Sequence, residues 1–205
     1  MKSLFTIVLS MALISVAAAQ QVEQAKPPAG GTQLFRSAPQ APEMKNMVDS
    51  FAGIWKTTTN VYKVEGWFPQ DASVKGRAEI HAGPAGNSIM ERFRSTSPMG
   101  NFAGQGVYWW TKETNSYAGI WCDSMDPTGC GPVGKGAWEG DNLVFNNEIS
   151  MGGPTMKIRE TFSNIAKDSF DFMIETSTGT GAMVKVMSIH YERSVPKSAS
   201  TTAKR

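Results

Sequence analysis

The chain is predicted to fold as an all-β domain, a closed antiparallel up-and-down barrel of about ten strands preceded by one short helix. Three observations carry this. Val74, Ala78, Ile80 and Ala82 alternate with Lys75, Arg77, Glu79 and His81, the period of two of a strand with one wet face. Further strand candidates follow at 53–60, 88–95, 105–111, 116–122, 135–140, 142–148, 155–163, 168–176 and 182–193. Turn signals separate them: Gly83-Pro84, Pro98-Met99-Gly100, Lys112 to Asn115, Gly140-Asp141-Asn142, Gly152-Gly153-Pro154 and Gly179 to Gly181. No long helical pattern interrupts the series, so consecutive strands can pair as antiparallel neighbours, and closure removes the edges an open sheet would expose. A two-sheet sandwich is the alternative.

The ends read differently. Met1 and Lys2 precede an apolar run from Leu4 to Val16, broken by Thr6, Ser10 and Ser15, and then Ala17, Ala18 and Ala19. That is the pattern of a secretory signal peptide, residues 1–19, cut after Ala19. The run is shorter than the roughly 20 apolar residues that span a bilayer, and no cysteine stands near the cut to carry a lipid. The expectation is an exported protein, in the periplasm or outside the cell, not inserted in a membrane after cleavage. Residues 20–42, rich in Gln, Ala, Pro and Gly, read as a flexible leader. Met44, Met47, Val48 and Phe51 place a short amphipathic helix at 43–52. The barrel domain spans 43–195, and 196–205 forms a disordered tail whose Lys197, Lys204 and Arg205 are a solvated end.

The formal charge is +2, which gives no electrostatic reason to expect nucleic acid or an anionic membrane surface as a partner. Cys122 and Cys130 share one Gly/Pro-rich segment, and in an exported chain a disulfide between them is the favoured reading. Zinc would need two further ligands, and the only histidines, His81 and His190, lie far off in sequence.

Gly53-Ile54-Trp55 opens the first strand and Tyr191-Glu192-Arg193 closes the last. Together they resemble the G-x-W and terminal Arg of the lipocalin-like (calycin) folds, which implies that Trp55 and Arg193 form a structural pair closing one end of the barrel. The segments I-M-E-R-F-R at 89–94, Gly104-x-Gly106 and Y-A-G-I-W-C-D-S at 117–124 resemble a bacterial family of exported proteins named only as a domain of unknown function. The resemblance covers about residues 44–194 and implies the fold without a reaction. The second and third signature motifs of ordinary lipocalins are not recognisable here.

Strand parity singles out three carboxylates. Glu91 shares a face with Ile89 and Phe93, Glu160 with Met156, Ile158 and Phe162, and Asp123 with Tyr117 and Trp121. If those faces point inward, the three enter the lumen, where an unpaired charge is costly and its pKa is perturbed. The alternatives are pairing with an inward Arg or Lys, or a bulge that reverses the parity and turns Arg92, Arg94 and Lys157 inward.

The remaining motifs carry less. His81 and His190 fall on outer faces by phase, so Tyr191 is the better ligand contact. Gly129-x-Gly131-x-x-Gly134 matches a dinucleotide pattern but lacks the following helix that would meet a pyrophosphate. No nucleophile, P-loop or metalloprotease pattern is present, and no cofactor or metal is expected. Trp109 and Trp110 must point to opposite faces, and Trp67 and Trp138 lie near turns.

The leading reading is therefore an exported small-molecule-binding barrel with no cofactor, its cavity lined by Glu91, Phe93, Trp109 or Trp110, Trp121, Asp123, Glu160, Met183, Met187 and Tyr191. The alternatives are a hydrolase-type enzyme using the lumen carboxylates and a barrel filled by its own side chains that acts as a structural or interaction module.

Overall fold

The first strand begins where a helix stops. Pro42 stands in the first turn of α1 (Pro42–Phe51), where its missing N–H costs nothing. The spacing of Met44, Met47 and Phe51 then puts all three on the face that is buried. Each contributes roughly 1.5–3 kcal/mol by leaving water. The helix ends as the Ala52 N–H donates to Val48 O at 3.0 Å, and Gly53 turns the chain into β1 with φ +155°. That positive φ favours glycine, and a Cβ there would also stand 2.1 Å from Arg193 Nη1, so the guanidinium would have to move.

The computed structural model describes residues 36–65, 68–97, 100–149, 155–178 and 181–194. Ser37–Arg205 group as one unit, which holds every element named here. The signal peptide, the leader up to residue 35, Trp67 and the basic tail lie outside the described residues.

After α1 come β1 (Gly53–Val61), β2 (Ala72–Ala82), β3 (Ser88–Ser97), β4 (Gly100–Thr111), β5 (Ser116–Asp123), β6 (Gly134–Glu139), β7 (Asn142–Ile149), β8 (Met156–Ser163), β9 (Ser169–Thr178) and β10 (Val184–Arg193). Each pairs antiparallel with its neighbours in sequence, and β1 pairs with β10 to close the barrel. The expected all-β, up-and-down architecture is thus the observed one, among the described residues ten strands with one short helix on the N-terminal side. β6 and β7 are joined by the two-residue hairpin Gly140-Asp141, with Glu139 opposite Asn142 and Gly140 at φ +62°, the positive φ such turns demand.

Inward positions face one another across each ladder. Thr57 pairs with Gly76 and Tyr191, Glu91 with Ile80 and Gly106, Trp121 with Gly106, Phe145 with Gly136 and Glu160, and Ile174 with Glu160 and Met187. The helix-covered end of this interior is filled by aromatic rings. Phe162 meets Phe51, Phe170 and Phe172 at 5.3, 6.3 and 4.8 Å, and Phe145 and Tyr108 at 6.2 and 6.1 Å.

At that same end Trp55 is fully buried, its Nε1 donating to Phe51 O at 2.9 Å. The Arg193 guanidinium lies 4.1 Å from the centre of its ring. The helix docks there too, with the Tyr117 hydroxyl donating to Glu43 O at 3.0 Å. Toward the opposite end the inward residues Phe102, Trp121, Met156, Ile174 and Met187 are only half-buried.

β10 carries an irregularity the sequence did not announce. Its register with β9 shifts between Lys185 and Met187, so one extra residue breaks the odd-numbered phase that would have carried Met183 inward. Met183 precedes the strand and is 37% exposed, which removes it from the lumen lining.

Candidate functional site

The interior gathers its polar groups about midway along the barrel. Glu91 on β3 is 3% exposed, set between Ile80 of β2 and Gly106 of β4. Its Oε1 accepts the hydroxyl of Tyr191 at 3.0 Å from β10, across the lumen. Tyr191 is held by a stacked contact with Phe170, centroids 4.1 Å apart. Glu160 on β8 stands between Phe145 and Ile174. Tyr108 reaches in over Gly106 and Gly119, at each of which a Cβ would come within 3 Å of its ring. Among the described residues, the Tyr191 hydroxyl is the one hydrogen bond to either glutamate, and no ion pair involves them.

These surroundings govern titration. Burial pushes the Glu91 carboxyl up to about 7, against the Tyr191 hydrogen bond, which lowers it, and with the nearby Glu160 charge, which raises it. Burial likewise pushes Glu160 up to about 7. The phenols of Tyr108 and Tyr191 are raised well above their usual range, first by burial and then by the carboxylates beside them. The mutual influence of Glu91, Glu160, Tyr108 and Tyr191 marks them as one electrostatic cluster.

Further inward-phase groups have no hydrogen-bond partner among the described residues. Thr57 and Thr59, at 2% and 8% exposure, have buried hydroxyls with no hydrogen-bond partner, as has Asn147 Oδ1 on β7. Leaving a buried polar atom unmatched costs about 1–3 kcal/mol. The sequence reading missed Thr57, Thr59, Asn147 and Tyr108. The phase was there to find them: Thr57 and Thr59 follow Trp55 at steps of two, and Tyr108 follows Gly104 and Gly106.

Residues 40–193 match a family described as a protein of unknown function, DUF1579. The chain belongs to the DUF1579 family. Comparison with curated proteins gives no match for this DUF1579 chain. Among solved structures, Rv2717c from M. tuberculosis is similar with a TM-score of 0.51 at 8% identity, over 76% of this chain and 99% of that one. An S-type phycobiliprotein lyase, CPES, from Guillardia theta matches at 0.49 and 14%, over 75% and 93%. A redesigned β-barrel matches at 0.38 and 12%, over 78% and 100%. At 8% identity the first likeness is one of fold.

The other predicted site residues of the DUF1579 barrel fall as follows. Phe93 is buried and inward, its ring 5.9 Å from Phe102. Met187 packs against the core from β10. Trp121 lies over Gly104, where a Cβ would stand 2.1 Å from its ring. Trp109 stands on the outer face in phase with Gln105 and Val107. Trp110 is therefore the inward member of the pair, packed edge-on against Tyr117 at 4.9 Å.

Asp123 is inward by phase, but its carboxylate is engaged by its own loop. Oδ2 accepts Trp121 Nε1 at 3.0 Å, and Oδ1 accepts the N–H groups of Met125 and Asp126 at 2.7 and 3.0 Å. This is an Asp-initiated turn, which opens the loop closed by the Cys122–Cys130 disulfide. Asp123 thereby serves the turn and orients Trp121.

Both histidines stand outside, His81 beside Glu79 and His190 Nδ1 2.7 Å from Asp171 Oδ1. β6 begins at Gly134, where a dinucleotide fingerprint would have a helix. Trp138 donates to the Tyr117 hydroxyl at 3.1 Å and borders a cleft of about 650 Å³ with Asp141, Asn142 and Asn164. Among the described residues no three His, Cys, Asp or Glu side chains converge as metal ligands.

Proposed function

We propose that this is an exported, lipocalin-like barrel that binds a small molecule in its lumen, with Glu91, Tyr191, Glu160 and Tyr108 forming the polar floor of the site. The observation that carries the reading is the pair of inward carboxyl groups, Glu91 and Glu160, with no ion pair to either among the described residues, in a barrel that also holds the unmatched hydroxyls of Thr57 and Thr59. A protein gains nothing in stability from such groups, which makes a ligand their natural partner. Phe93, Phe102, Trp110, Trp121 and Met187 supply the apolar wall. A ten-stranded barrel is also wider than the eight-stranded size at which side chains just fill the interior. Export rests on the N-terminal signal pattern and on the disulfide, a bond of oxidising compartments.

One feature favours a second reading, acid–base catalysis at the same place: carboxyls raised to about 7 are poised for proton transfer near neutral pH. Native mass spectrometry of the mature protein, purified gently from exporting cells beside Glu91→Gln and Glu160→Gln, tests the primary reading. A bound small molecule that is lost from the variants supports it. A clean apo mass, with the variants as stable as the parent at every pH, overturns it and leaves a barrel with a structural role.

A further inference from the structure

Resting on the lumen-binding reading, we infer that the ligand is an amine, a compact and largely apolar molecule whose protonated nitrogen is received between Glu91 and Glu160. The inward rows decide its charge. Among the described strand residues they carry three carboxylates, Glu91, Asp123 and Glu160. Their one cation is Arg193, engaged over Trp55 at the helix-covered end, with Nη1 donating to Ala52 O at 2.9 Å and Nε to Lys167 O at 2.8 Å. Lys56, Lys75, Arg77, Arg92, Arg94, Lys135, Lys157 and Arg159 all fall on the outward phase.

The groups facing Glu91 are Tyr191 from β10, Tyr108 from β4 and Glu160 from β8, with Ile80 and Gly106 on the flanking strands. Those flanking Glu160 are Phe145 and Ile174. None of these neutralises a carboxylate. The hydroxyls of Thr57, paired beside Tyr191, and of Thr59 are buried and unmatched among the described residues, and each can accept an N–H. Phe93, Phe102, Tyr108 and Trp121 offer ring faces of the kind that attract a cation. An anionic ligand would meet carboxylates on the floor and Asp123 toward the mouth, and a neutral apolar one would leave them unpaired.

Binding needs no covalent step. The ammonium enters, the carboxyl proton leaves to water, and charge balances within the site. Calorimetric titration of the mature protein with 2-phenylethylamine, the alcohol 2-phenylethanol and phenylacetate, at pH 6 and pH 8 in two buffers of different ionisation heat, tests this. The amine should bind tightest and release a proton, with affinity rising about tenfold from pH 6 to 8 as the carboxyls ionise around pH 7. The double variant Glu91→Gln/Glu160→Gln should bind amine and alcohol alike, showing that the lumen persists. Alcohol or phenylacetate bound as well as the amine by the parent overturns the amine assignment while the lumen reading stands. No binding of any probe, together with a clean native mass, overturns both.

Discussion

The guanidinium of Arg193 lies 4.1 Å from the centre of the Trp55 ring while its Nη1 donates to Ala52 O, so the end of the last strand is fastened to the start of the first. Arg193→Ala removes a cation–π contact and two charge-assisted hydrogen bonds, and should cost about 2–4 kcal/mol. Arg193→Lys should recover little, since an ammonium lacks the planar fork that reaches both carbonyls. Urea unfolding of the two variants beside the parent checks both.

The Glu91 carboxyl titrates near 7 in the folded chain against an ordinary 4.5. A folded-state value above the unfolded one means that the associated stability is fully present below about pH 4.5 and is lost as pH rises through about 7, a loss of roughly 3 kcal/mol. Glu91→Gln should flatten that part of the curve, gaining on the parent at pH 8 and not at pH 4. Unfolding midpoints measured from pH 4 to 9 give the comparison.

Tyr191→Phe removes the hydroxyl that favours ionised Glu91. The Glu91 midpoint should rise further above 7, readable as a shift of its side-chain carboxyl resonance in a pH titration. An unchanged midpoint would show that the hydrogen bond has no hold on the carboxyl.

Gly104 and Trp121 share a space that admits only one of them. Gly104→Ala should force the indole from its place over β4, at a cost of about 1–3 kcal/mol, and break its hydrogen bond to Asp123. Tryptophan fluorescence and thermal unfolding together report the displacement.

Removing the disulfide with Cys122→Ser and Cys130→Ser should cost roughly 2–3 kcal/mol, the scale for so short a loop. The ten-strand barrel should persist, because nine of its ladders lie elsewhere. Far-ultraviolet circular dichroism before and after reduction of the parent is the check.

Where the sequence was legible, a single physical rule made it so. Period-two alternation placed nearly every strand to within a residue or two, since each has one face in the core and one in water. It also brought Glu91 and Glu160 to the inner wall. It failed where the period slips or a side chain has local work. The bulge before Met187 took Met183 out of phase. Asp123 was inward by parity, but its loop claimed the carboxylate first. Trp109 and Trp110 differ by one step, and the phase of β4 was set by Gly104 and Gly106, which have no side chain to declare a face. Thr57 and Thr59 were overlooked because threonine in a strand is ordinary until its hydroxyl is found without a partner.

All the ladders except one join strands adjacent in sequence, and that one, β1 with β10, joins residues more than a hundred positions apart. Hairpins can therefore form in order as the chain emerges, while the ring stays an open ribbon until the final strand arrives. Arg193 sits in the last residue of that strand, over the tryptophan near the start of the first. A chain cut short of β10 would lose this clasp and expose the edges of β1 and β9 at once, so the barrel's integrity is decided at its seam.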